Sequence, residues 1–156
     1  MPMLSVTLAF LLPWLAAEAL TTPPQQSMAE WRRIAQPAIA EVWKEMKAEA
    51  GFGYAGEMVV GSLEEGDDEY FEFDFVGHRE YLIVGVCDGD CSDLDLLLYD
   101  RDDNVVLQDI EMDDYPVLVS PSGRSGVHYI EAAMPSCSVE PCYYAVQVFH
   151  RYVGTR

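Results

Sequence analysis

The sequence predicts a mainly β fold, an antiparallel, jelly-roll-like β-sandwich of about eight strands, preceded by one N-terminal amphipathic helix. Three observations predict it. From residue 56 to residue 152 apolar residues recur at every second position, turn-forming clusters punctuate the chain, and no helical period intervenes between the candidate strands. Successive short strands with no helix between them bury one face each by packing sheet on sheet. At 156 residues, half of them apolar, the chain suits a single domain with a substantial core.

Charge limits the partners. Asp and Glu number 27 against 9 Lys and Arg, a net charge of −18. A nucleic-acid binder needs basic patches that displace counterions, and an anionic membrane surface attracts the same patches. The aromatic and β-branched content is too high for a disordered acidic chain. Solubility, attraction of metal ions or a basic partner are the remaining meanings of the acidity.

Residues 1–19 (MPMLSVTLAFLLPWLAAEA) have the form of a secretory signal, with an apolar run from Val6 to Leu15 and an A-x-A site at Ala17-Glu18-Ala19. No Lys or Arg precedes Arg32, so the basic leader of such signals is missing, and a buried N-terminal helix is the competing reading. The segment is too short for a membrane span and is interrupted by Pro13 and Glu18, so no span is expected in the mature chain. The expected location is outside the cytoplasm, periplasmic or extracellular.

Residues 20–26 form a linker, since the paired prolines at 23 and 24 forbid helix. Residues 27–50 form the amphipathic helix. Ser27 and Glu30 make a capping box, and Trp31, Ile34, Ala35, Ala38, Val42 and Met46 make one apolar stripe. Pro37 predicts a kink or two shorter helices. The stripe packs on the domain or, in an alternative reading, recruits a protein partner.

Strands are then expected near 57–63, 69–76, 79–86, 94–100, 104–109, 117–120, 127–134 and 143–150. Phe71, Phe73 and Phe75 share one face of the second. The third (YLIVGV) is apolar on both faces and is therefore central. Leu94, Leu96 and Leu98 point inward from the fourth, leaving Asp93, Asp95, Leu97 and Tyr99 outside.

The four cysteines fall into two local pairs, Cys87 with Cys91 and Cys137 with Cys142. Three connectivities are formally possible, and the spacing favours two local disulfides at strand ends. Zinc is the rival, but its cysteines usually stand two residues apart. Between residues 88 and 104 lie seven aspartates offset only by Arg101. Asp88, Asp90, Asp93 and Asp95 are the candidate calcium ligands: Asp93 and Asp95 share a strand face about 7 Å apart, beside the loop that carries the other two. The competing reading is a solvated, turn-forming acidic face. Asp100, Asp102, Asn104 and Glu111 fall at EF-hand positions, yet Val105 stands where that loop needs glycine, and strands flank it.

The run from about Gly56 to Phe149 resembles the bacterial pre-peptidase C-terminal domain, a β-sandwich appended to secreted peptidases and found in stand-alone exported proteins. The resemblance rests on Gly61-Ser62-Leu63, on Asp68, Tyr70 and Phe73, on Gly77 leading to Tyr81, Ile83 and Gly85, and above all on Ser92-Asp93-Leu94-Asp95-Leu96-x-Leu98-Tyr99-Asp100. Pro116, Leu118, Pro121 and Ser125-Gly126 follow. The turn after Tyr99 ends in Asn104 where relatives commonly carry glycine, and His128 stands where they usually have an aromatic. The resemblance implies a non-enzymatic domain; some relatives bind calcium, others collagen or polysaccharide.

His78, His128 and His150 sit in no recognisable catalytic motif, and no nucleophile elbow, phosphate loop or dinucleotide fingerprint occurs. The expectation is an exported, non-enzymatic binding or stability module with a protein or polysaccharide ligand and candidate calcium sites in its acidic loops. The alternative is an interaction protein whose helix docks on a partner.

Overall fold

The period-two alternation becomes nine strands rather than eight, because the two residues Gly53 and Tyr54 also pair into a sheet. The structure, a computed structural model, describes residues 27–154, excepting the side chains of 45–50. The expected signal segment at 1–19, the expected linker at 20–26 and the side chain of Met46 in the predicted stripe therefore lie outside the described residues. In chain order the elements are α1 (Met28–Ala50), β1 (Gly53–Tyr54), β2 (Val59–Leu63), β3 (Asp68–Phe75), β4 (Arg79–Cys87), β5 (Cys91–Tyr99), β6 (Val105–Asp109), β7 (Val117–Ser120), β8 (Gly126–Cys137) and β9 (Cys142–Tyr152).

All pairings are antiparallel. In one sheet β9 is the hub, with β4 and then β7 on one side and both β1 and β2 on the other. The second sheet runs β3-β8-β5-β6. Between the sheets, Phe75, Tyr81, Ile83, Leu94, Leu96, Leu98, Ile130, Met134 and Tyr144 make the main core. β4 is central and buried on both faces, as its sequence requires: Tyr81 and Ile83 face the second sheet, while Leu82, Val84 and Val86 face the helix.

The molecule has three layers, because α1 lies on the outer face of the β9 sheet. Trp31, Ala35 and Ile39 are buried there against Leu82, Val84, Ala145 and Phe149, with Val42 and Trp43 partly buried beside them. The predicted stripe is thus rotated: Ile34 is 44% exposed and Ala38 is exposed, while Ile39 and Trp43 take their place. An i, i+4 row lays one ridge along the sheet, and the i+3 positions fall to its side. The Ser27 cap forms, its Oγ accepting from the Glu30 amide at 3.2 Å. Pro37 does not divide the helix, which runs from Met28 to Ala50 as one element. Pro37 stands on the exposed face of the helix.

Candidate functional site

With α1 closing one side, the outer face of the four-stranded sheet is the broad strand surface that no described helix covers. Strand alternation decides what it displays. The register places Tyr70, Glu131 and Leu97 side by side, then Glu72, Tyr129 and Tyr99 in the next row, and Asp68, Ala133 and Asp95 in the row on the other side. Three tyrosines from three strands thereby meet among carboxylates.

Their geometry is ordered by Glu131. Tyr99 donates its hydroxyl to Glu131 Oε2 at 2.5 Å, and the Tyr70 and Tyr99 rings lie 5.9 Å apart at a 53° tilt. The Glu131 hydrogen bond, with burial, pushes the Tyr99 phenol well above its ordinary range, and burial followed by Glu131 raises that of Tyr70. Glu131 itself is only 9% exposed. Tyr70, Tyr99, Tyr129 and Asp103 line a cavity of about 360 Å³ on this face.

Asp103 belongs to the β5–β6 turn, where Asp100 is the organising residue. Its carboxylate accepts from the amides of Asp102 and Asn104 at 2.9 and 3.0 Å and from the Asn104 side chain. These bonds hold the Asp100 carboxyl below its usual range. Asp103 takes the left-handed conformation, φ 61°, that the turn needs. The EF-hand spacing is therefore used as a side-chain-capped turn.

The four aspartates predicted to share calcium are divided between two surroundings. Asp88 accepts from the Tyr143 amide at 3.1 Å, and burial raises its carboxyl. Asp90 is exposed, and its main-chain carbonyl accepts from both the amide and the hydroxyl of Ser138 at 2.8 Å. Asp93 and Asp95 lie on β5 where the register against β8 shifts, and their charged neighbours are of like sign. Burial raises Asp93, with Asp113 adding to it; burial pushes Asp95 up to about 6, helped by Asp93, Asp109, Glu131 and Asp113. Calcium takes six to eight converging oxygens. Among the described residues no group of three or more His, Cys, Asp or Glu side chains is placed to hold a metal ion.

A pH signature follows. With Asp95 near 6 when folded and 3.8 when free, the folded state disfavours its ionised form. The cost to stability is full above pH 6, shrinks as the pH falls through that value, and vanishes below about pH 4. Asp95→Asn is therefore expected to stabilise the protein at pH 7.5 by about 1–2 kcal/mol, after allowing for the screening that its partial exposure permits. Urea unfolding at pH 7.5 and pH 3.5 checks this; an equal gain at both values would locate the effect elsewhere.

Both disulfides are local, Cys87–Cys91 and Cys137–Cys142, with Cα separations of 5.9 and 5.8 Å. All four cysteines are the terminal residues of their strands, and Cys91 and Cys137 face one another across β5 and β8. Two bridges fit an oxidising, non-cytoplasmic compartment. His128 is buried against Phe75, with Nδ1 2.9 Å from the Gly126 carbonyl, and so fills an aromatic position in the core. His78 occupies a turn at φ 63°, and His150 packs between Tyr81 and Tyr152.

No family model matches the chain, and no curated protein matches it in sequence. The open face was missed by sequence reasoning. Its one signal was the presence of tyrosines at outward strand positions 70, 99 and 129, which only the register of three strands brings together.

Proposed function

We propose that the chain is an exported, non-enzymatic ligand-binding module of the pre-peptidase C-terminal type, and that its ligand lies on the open face of the four-stranded sheet. One observation carries this reading: the helix occupies one side of the sandwich, while the other side displays three tyrosines around a cavity, ringed by carboxylates. Tyrosines at such a surface supply large, stiff contact area with a polar tip, the composition that dominates binding energy at interfaces. The Asp-Leu-Asp-Leu strand supports the family, and the disulfides support export. The alternative, a helix that recruits a partner, is left with less surface, since Trp31, Ala35 and Ile39 are buried on the β9 sheet.

The test is retention of the purified protein on gelatin and on insoluble cellulose, chitin and xylan. Wild type is expected to be held by at least one of them. Tyr99→Ala with Tyr129→Ala should weaken that retention by about thirtyfold, the scale of two central aromatic contacts. Retention that survives this change but is lost with Ile34→Glu would move the ligand to the helix.

A further inference from the structure

We infer that the cavity bounded by Tyr70, Tyr99, Tyr129 and Asp103 takes an alkylated ammonium group, such as the trimethylammonium of a choline-like ligand; this rests on the reading of the open face as the ligand surface. Aromatic faces are electron-rich, and a cation within about 6 Å of a ring centroid is attracted to them. Three tyrosines and one carboxylate border this cavity, and its lining includes no basic residue.

Glu131 gives the site its sign. It is a buried carboxylate on β8, and among the described residues none of the ion pairs engages it. A charge taken out of water without an opposite charge is costly, and a cation held over the adjoining rings would offset it. The hydroxyl of Tyr99 already donates to Glu131, which fixes the carboxylate beside that ring. The net charge of −18 also concentrates cations around the molecule.

The lining argues for an alkylated rather than a primary ammonium. A lysine ammonium brings three donors that each need an acceptor. Glu131 is not among the residues that line the cavity, so Asp103 supplies the one carboxylate there. A trimethylammonium brings no donor, and its methyl groups pack on the rings.

Isothermal titration of the intact protein tests the proposal, with choline and tetramethylammonium compared against 3,3-dimethylbutan-1-ol, the neutral analogue of choline. Choline is expected to bind at least about tenfold more tightly than the neutral alcohol. Glu131→Gln, which keeps the acceptor and removes the charge, should erase most of that difference, and Tyr129→Ala should abolish binding. Glycerophosphocholine and phosphatidylcholine vesicles run in parallel separate a soluble ligand from a membrane headgroup, and binding to either supports the proposal. Equal affinity for choline and the alcohol, or no choline binding, overturns it. Where soluble oligosaccharides bind through Tyr99 and Tyr129 while choline does not, the ammonium proposal fails and the open-face reading stands. Where nothing binds through these tyrosines, both fail.

Discussion

Replacing Trp31 by alanine is expected to lower unfolding stability by about 3–5 kcal/mol, the range for removing a buried tryptophan. Trp31 is 4% exposed and packs with Ala35 and Ile39 on the layer formed by Leu82, Val84, Ala145 and Phe149. Its indole N–H is buried without a hydrogen-bond partner among the described residues, so the contribution is one of packing. Trp31→Phe should therefore recover a large part of the loss. Ile34→Ala, one turn away on the exposed side, should stay within about 0.5 kcal/mol of wild type. Urea unfolding of the three variants measures this. If Trp31→Ala behaves like Ile34→Ala, the helix is an appendage and not a layer of the fold.

The second large effect is expected at Gly61, which faces Tyr144 directly across β2 and β9. A Cβ at Gly61 would stand 2.4 Å from Tyr144 Cε1, closer than atoms can approach. The ring has nowhere to go: Tyr144 is fully buried, and its hydroxyl donates to Glu69 at 2.6 Å. Gly61→Ala should cost about 3 kcal/mol, the upper part of the range for overpacking a core. The loss is coupled to the ring, so Gly61→Ala added to Tyr144→Ala should cost much less than it does alone. An additive pair would mean that the two residues do not meet.

The strands were legible where their period was long enough to read. Leu94, Leu96 and Leu98 alternate with polar residues over a full strand, and their inward direction follows from that alone. β1 was not legible, because two residues carry no period. The strand ends at Cys91, Cys137 and Cys142 read as loop because each adjoins turn-forming residues, yet pairing continues through the cysteines. On α1 the apolar residues allow two overlapping stripes, and the surface of the β9 sheet selects the one through Ile39. The candidate site is a matter of register. Tyr70, Tyr99 and Tyr129 are about thirty residues apart and become neighbours only when β3, β8 and β5 pair as they do. The pairing of β6 with β5 likewise brings Asp109 to Asp95, and Asp113 adds to both Asp93 and Asp95, whereas local spacing had grouped these two with Asp88 and Asp90 of the disulfide loop.

The most direct test of the open face as the ligand surface is amide chemical-shift mapping of the isotope-labelled protein, titrated with choline and with soluble oligosaccharides. Shifts are predicted to gather on β3, β5 and β8 around Tyr70, Tyr99, Tyr129 and Glu131, and to leave α1 and β2 unmoved. Shifts confined to α1, or none on the four-stranded sheet with any of these probes, would contradict the account.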